Sequence, residues 1–334
     1  MLPRPDDTFQ ALVEPLRGAI RLHGYRMLGS SHDADDVVQE TMLRAWRAKE
    51  SLESVSLVKP WLYRIATNVC LDELRQRPRR VLASDAFPSA AGAVRPAPPI
   101  EEPVWLEPMP DTWLDGASAS DPAAGYALKE SVALAFVAAL QYLSATQRAA
   151  LLLRDVVGLS AEETAAALDI GVAAANSALF RARTAVEEKL GGRGPDAVAA
   201  HAQVDEALLE RYVRAFEEAR LDEIVSLFHE DIRTTMPPSP TWLAGRAANE
   251  VFYRAMFDSL QPGQFRHRHI AANGQRALAF YRAPSASEAG TLVAIQLVTT
   301  RDSALATVDH FMIRDLFPLF DVPATVPPRT TSDR

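Results

Sequence analysis

Apolar residues recur at three- and four-residue steps near the start of the chain: Phe9, Leu12, Val13, Leu16 and Ile20, then Val37, Val38, Met42 and Trp46. That spacing lays them along one stripe of a helix and predicts a helical block over residues 5–80. The period is lost over residues 81–126 and returns over 127–192, which are rich in Ala and Leu. After Gly191-Gly192-Arg193-Gly194-Pro195 the character changes again. A helix is expected from about Val204 to Phe228, with Leu208, Tyr212, Phe216 and Ala219 on one stripe. Strand-like runs follow at Phe265–Ala271, Ala277–Tyr281, Leu292–Thr299 and Ala304–Ile313, with Asn273-Gly274 as a turn between the first two. A helix followed by antiparallel strands predicts a separate α+β domain over 204–325.

The break at 81–126 has its own composition. It holds Pro88, Pro96, Pro98, Pro99, Pro103, Pro108, Pro110 and Pro122, seven acidic residues and a single basic one, Arg95. Proline removes backbone donors and disfavours helix before it, so the stretch reads as an acidic tether between two helical blocks.

Composition narrows the function. With 334 residues, 48% of them hydrophobic, the chain can build two or three cores. A formal net charge of -8 excludes a protein that coats nucleic acid by bulk attraction, so DNA binding has to come from local basic patches. Cys70 is the only cysteine, which excludes an internal disulfide framework and a multi-cysteine zinc site and fits a reduced, cytoplasmic setting. No metal and no cofactor is expected. The N-terminal residues carry no apolar run suited to a signal peptide, and no segment approaches the ~20 apolar residues of a membrane span.

Two constellations carry chemistry. Asp33-Ala-Asp-Asp36, running into Val37-Val-Gln-Glu40, reads as a helix start with acids in the first turn. Asp36 and Glu40 share a face with Arg44 one turn on, which by spacing alone is a solvated face with i,i+4 pairs. Further on, Trp61-Leu-Tyr-Arg-Ile-Ala-Thr-Asn68 leads into a segment with a local excess of positive charge, from Lys59 and Arg64 to Arg75, Arg77, Arg79 and Arg80. Aromatics beside arginines suit unpaired DNA, whose bases stack on rings while its backbone follows positive charge. Trp61 and Tyr63 also fit the core of a small helical bundle.

The second constellation begins with Leu159-Ser-Ala-Glu-Glu-Thr-Ala-Ala-Ala-Leu168, a short helix with Ser160 and Glu163 in a capping-box pattern. Asp169-Ile170-Gly171 is a tight turn and Val172–Leu190 a second helix. Ala165 allows close crossing, and Leu168, Ile170, Ala175 and Leu179 fill the interface. This is a helix-turn-helix whose second helix offers Asn176, Ser177, Phe180, Arg181 and Arg183 to a major groove. Arg and Asn read guanine and adenine edges, and Phe meets a thymine methyl.

Together, over residues 9–80 and 127–190, these motifs resemble regions 2 and 4 of extracytoplasmic-function (ECF) sigma factors of the sigma-70 family. The resemblance implies two all-α domains. In it, Asp35, Asp36, Gln39, Glu40 and Arg44 contact core RNA polymerase. Trp61, Tyr63, Arg64, Asn68, Arg75 and Arg77 handle the minus-ten element of promoter DNA, with Asn68 and the loop Ser54–Lys59 forming a pocket for a flipped base. Asn176, Ser177, Phe180, Arg181 and Arg183 read the minus-thirty-five element.

The long linker, with Pro103-Val-Trp-Leu-Glu-Pro-Met-Pro-Asp111, and the extra C-terminal third resemble the subgroup carrying a SnoaL-like, NTF2-like cone. Ala272-Asn-Gly-Gln275 and Phe317–Val322 support that likeness. It implies an internal pocket, open to a small-molecule ligand or an intramolecular contact; Trp242, Tyr253, Phe257, Phe265, Phe280 and Phe311 are the candidates to line it, and core packing alone would also account for them. The extra domain and the acidity of the linker, which can mimic DNA against basic surfaces, lead to the expectation of regulation in cis. Two rival readings stay in view. One is a helix-turn-helix regulator that never touches polymerase. The other is a SnoaL-type enzyme on a DNA tether, for which His229, Asp231, Asp309 and His310 are the titratable candidates.

Overall fold

The computed structural model describes residues 5–77, 79–101, 104–115, 128–129, 131–190 and 205–328. It divides into two compact units: residues 1–80 with 111–198, and residues 81–110 with 199–334. The expected tether is therefore divided between them. Its stretch at 116–126 and the glycine-rich break after residue 190 lie outside the described residues.

The first unit is helical. Its first half comprises α1 (Pro5–Val13), α2 (Arg17–Leu28), α3 (Ser31–Arg47) and α4 (Val58–Gln76). Helix α3 starts before the acid cluster, because the Ser30 hydroxyl caps it by accepting from the Asp33 amide at 3.0 Å. Asp33 is left to bind Arg77 and Arg80 at 2.5 and 2.8 Å. Gly24 lets α2 approach α3: a Cβ there would lie 3.2 Å from Val37.

The second half comprises α5 (Leu134–Leu140), α6 (Ala145–Leu151), α7 (Ala161–Leu168) and α8 (Val172–Lys189). The Ser160/Glu163 capping box forms as expected, and a second one, Ser144/Gln147, caps α6. In the turn between α7 and α8 the left-handed residue is Asp169 (φ 53°), not the glycine two positions on. Ala165 and Ala175 are buried at the crossing, with Leu168 and Ile170 half-buried beside them.

The two helical halves share one core. Ile20, Met27, Leu62 and Ala66 belong to the same cluster as Ala149, Ala150, Leu153 and Leu179. Two buried arginines stitch the halves together. Arg26 donates to the Ser131 hydroxyl at 2.6 Å and to its carbonyl at 3.1 Å. Arg148 donates to the Gln141 side chain at 2.7 Å and to the Met27 carbonyl. Lys59 adds a bond to the Val157 carbonyl at 2.8 Å.

The second unit is a mixed sheet over helices. Helices α9 (Glu206–Glu217), α10 (Leu221–Ser226) and α11 (Arg246–Phe257) accompany strands β1 (Phe228–Thr235), β2 (Trp242–Ala244), β3 (Phe265–Ala272), β4 (Gln275–Arg282), β5 (Gly290–Arg301), β6 (Ala304–Phe311) and β7 (Thr325–Val326). The strand order is β2-β1-β6-β5-β4-β3, with β7 beside β5; β1 and β6 run parallel and the other pairs antiparallel. The four strands expected from the sequence correspond to β3–β6, and Asn273-Gly274 makes the hairpin with positive φ at both residues (54° and 76°). The single helix expected to Phe228 is instead two, broken where Ala219 takes φ 54°. Strands β1 and β2 and helix α11 were not foreseen.

Residues 81–110 do not behave as a free tether. They form a strap seated on this unit. The Val81 amide donates to the Val104 carbonyl and the Leu106 amide to the Val81 carbonyl, both at 3.0 Å, and the Ala90 amide donates to the Trp242 carbonyl at 2.8 Å. The Ala97 amide donates to Thr241 Oγ1 at 2.8 Å, and the Ile100 amide to the Pro238 carbonyl at 3.0 Å. The Met109 amide binds the Asn273 side chain, and the Asn273 amide returns a bond to the Met109 carbonyl, both at 3.0 Å. Trp105, Leu106 and Met109 are buried. Glu107 is buried as well, which removes it from any DNA-mimicking surface. The prolines deny the segment a ladder of its own, and its remaining donors find acceptors on the cone.

Candidate functional site

Three helix faces and one cavity carry the chemistry. On α3, Asp36, Gln39, Leu43 and Trp46 face solvent at helical spacing, with Leu43 44% and Trp46 42% exposed. Large apolar groups exposed beside polar ones make this row a candidate interaction face. Asp35 is paired with Arg21 at 2.8 Å, away from that row. Glu40 holds Arg44 at 2.6 Å, and Arg44 reaches Asp72 on α4 at 3.1 Å. Asp36, Gln39, Glu40, Leu43 and Arg44 thus border an open groove of about 940 Å³ whose far side is Asp72, Arg75 and Arg77. Leu43 and Trp46 were not among the residues expected at the polymerase; Trp46 was expected on the apolar stripe with Val37, Val38 and Met42, and the structure leaves it exposed.

Helix α4 divides its candidates. Arg64 and Asn68 are exposed one turn apart, and Trp61 is half-buried on the same side. The Trp61 indole donates to the Ser51 hydroxyl at 3.2 Å and meets Phe9 edge-on. Tyr63 is buried against His23, with ring centroids 5.3 Å apart, so it packs the core and offers no stacking face here. Arg75 is tied to Asp72 at 2.7 Å and Arg77 to Asp33. In the loop before α4, Val55 and Leu57 are exposed.

On α8, Asn176, Ser177, Phe180, Arg181 and Arg183 are all exposed, Phe180 to 72%. Arg183 is gripped by Asp155 through two bonds of 2.9 and 2.6 Å, which leaves Asn176, Phe180 and Arg181 as the groups free to reach a partner. Ser177 spends its proton on the Ala173 carbonyl at 2.9 Å.

The cone holds a cavity of about 370 Å³. Phe216, Phe252, Phe265, Phe280 and several methionines supply most of its wall; Tyr253 and His310 supply the polar part. Of the expected lining, Tyr253, Phe265 and Phe280 are present and Trp242, Phe257 and Phe311 are not. Trp242 donates its indole proton to the Phe87 carbonyl at 2.7 Å, and Phe257 packs on Phe216. Phe311 is buried next to His310, and successive residues of a strand point to opposite faces.

His310 is pushed down to about 4 by burial, with the neighbouring His267 adding to the effect, so it is neutral near pH 7. Burial raises Tyr253 to about 12. The Gln296 amide lies 2.8 Å from His310 Nδ1, and in that orientation the ring proton resides on Nε2, 3.4 Å from the Tyr253 hydroxyl. Asp309 is buried, not solvent-facing, where its carboxylate accepts from Thr235 at 2.6 Å. On β1, His229 Nδ1 accepts from the Asp231 amide at 3.0 Å and lies 2.9 Å from the guanidinium of Arg301 on β5. Neither Asp309 nor His229 borders the cavity.

Against known proteins, residues 12–80 match the family model of Sigma-70 region 2, residues 133–186 that of Sigma-70 region 4, and residues 209–315 that of the SnoaL-like domain. Regions 2 and 4 in this order define a sigma-70-type transcription factor. The chain is 39% identical over 318 residues to the ECF RNA polymerase sigma factor SigG of Mycobacterium tuberculosis, covering 94% of this chain and 84% of that one. It is 28% identical to SigJ of the same species over 269 residues, 78% of each. The crystal structure of SigJ shares the fold, with a TM-score of 0.59 and 23% identity over 95% of this chain and all of that one. This chain belongs to the ECF RNA polymerase sigma factors, in a form that carries a SnoaL-like domain after region 4. Among the described residues, no helix is long and apolar enough to cross a membrane.

Proposed function

We propose that this sigma factor docks core RNA polymerase through the α3 row Asp36, Gln39 and Leu43, and directs it to promoter DNA in the cytoplasm. Trp61, Arg64 and Asn68 on α4 serve the minus-ten element, and Asn176, Phe180 and Arg181 on α8 the minus-thirty-five element. The observation that carries this reading is Phe180, a phenyl ring 72% exposed beside Arg181 on the second helix of a helix-turn-helix. An apolar ring kept in water costs free energy unless a partner covers it, and a thymine methyl beside a guanine edge suits this pair.

The shared core favours a second element of the reading, that this arrangement is a closed state. The two promoter elements lie about 25 base pairs apart, roughly 85 Å of duplex at ~3.4 Å per step. Two halves stitched by Arg26 and Arg148 do not span that length, so full engagement requires them to part. The C-terminal domain holds the strap that connects them in sequence, and it regulates that parting in cis.

The test is run-off transcription with purified core polymerase on a genomic fragment library. The full chain is expected to direct discrete starts. Asp36→Arg with Leu43→Ala should abolish co-elution with core polymerase while leaving the melting temperature within a few degrees. Normal co-elution of that variant would show that the docking face lies elsewhere.

A further inference from the structure

The cone cavity is chemically lopsided. Its inner wall is apolar and, at neutral pH, uncharged: Phe216, Phe252, Phe265 and Phe280, with His310 held neutral by burial. Its open side carries two cations, Arg95 and Arg282, both exposed. Among the described residues neither makes an ion pair or an acceptor bond; Arg282 only rests 5.9 Å from the Phe265 ring. The polar groups that do line the interior, Tyr253 and His310, lie 3.4 Å apart and leave the rest of that wall apolar. A volume of about 370 Å³ falls in the ~300–1,000 Å³ range of small-molecule sites.

Part of the wall comes from the strap. Val94, Arg95 and Pro96 border the cavity, and the backbone on either side is fastened to the cone at Ala90 and Ala97. An occupant of the cavity must therefore touch the segment that joins the two promoter-reading regions in sequence.

We propose that the cavity binds an amphipathic carboxylic acid. Its apolar body fills the phenylalanine-lined interior and its carboxylate meets Arg95 and Arg282 at the mouth. A polar atom at its inner end, where present, meets His310 and Tyr253. Because Arg95 belongs to the strap, binding clamps the strap onto the cone. This inference rests on the reading of the C-terminal domain as regulatory and gives that domain its ligand class. No covalent step is involved.

The test uses the full chain without polymerase, so its failure leaves the promoter-directing function standing, and a transcription defect leaves it unaffected. Two fluorescent probes share one ring system: anionic 8-anilinonaphthalene-1-sulfonate and neutral N-phenyl-1-naphthylamine. The expected result is one anionic probe per chain, displaced by dodecanoate. Arg95→Gln with Arg282→Gln should weaken the anionic probe at least tenfold and the neutral one less than threefold. Met256→Trp, or Val293→Trp from another wall, should exclude both probes with cooperative melting retained. Saturating dodecanoate should slow hydrogen exchange at the Ala90 and Ala97 amides at least tenfold. Absence of probe binding to the full chain overturns the site. Binding that survives both tryptophans overturns its location, an anionic probe indifferent to the arginines overturns the ligand class, and unaltered exchange overturns the clamp.

Discussion

At the scale of single residues, Asp33 shows how a motif position can serve structure first. Burial alone would raise its pKa, but the guanidinium of Arg80, and then that of Arg77, overcome this and hold the carboxyl below the usual range. A carboxylate whose folded pKa is depressed stabilises the fold above its unfolded value near ~3.9. That stabilisation is lost as pH falls through the lower, folded value. Melting temperature should therefore drop below about pH 4 in the native chain. Asp33→Asn should be less stable at pH 7 by about 1–3 kcal/mol, since two guanidiniums lose an acceptor, and its acid profile should be flatter. Parallel acid profiles for the two proteins in a thermal melt series would remove this role. Arg181 sits at the opposite extreme, exposed and without an ion pair among the described residues. Arg181→Ala should weaken upstream-element binding by about 1–3 kcal/mol and relax base preference at one position, as read by competition binding on a library of variant sites.

Elements were legible where a local rule decides them. The capping box at Ser160 and Glu163 marked α7, the apolar stripe marked α3 and α9, and Asn273-Gly274 marked the β3–β4 hairpin. What escaped was decided by distant partners. Ala219 breaks a helix with no glycine or proline nearby to announce it. Tyr63 looks like a stacking ring in sequence and is a core residue because His23, forty positions earlier, closes over it. Trp242 and Phe257 were expected in the pocket on aromatic character alone, which cannot tell a lining residue from a packed one. The strap is the clearest case. Proline content excluded a ladder, and the strap's helix at Ala83–Ala86 is a single turn, but that content says nothing about whether the remaining amides find acceptors on Thr241, Pro238 or Asn273, all more than 130 positions away. Met109, fully buried at the strap's end, anchors that seat. Met109→Ala should cost about 2–5 kcal/mol locally and accelerate exchange at the Leu106 and Asn273 amides; native-like protection there would mean the seat does not depend on it.

For the whole molecule, the shared core of the helical unit makes a distance prediction. Cys70 is fully buried and its thiol is pushed well up by that burial, so introduced cysteines can be labelled selectively. Gly18 has open space where a Cβ would project, and Glu187 is exposed on α8. Dyes at Gly18→Cys and Glu187→Cys should show high energy transfer in the free chain and a marked fall when core polymerase and a promoter fragment are added. Transfer that stays constant would mean the halves read DNA without parting.

The strap also sets an order of events during synthesis. It leaves the ribosome with the first helical half, yet Thr241, Asn273 and the sheet that receive it follow more than 130 residues later. At ~5–20 residues per second, the interval is roughly seven to thirty seconds. Once region 4 has emerged, and until the cone follows, each nascent chain is a two-region factor with nothing to hold its connector. A message cut short before the cone would yield that ungoverned species permanently.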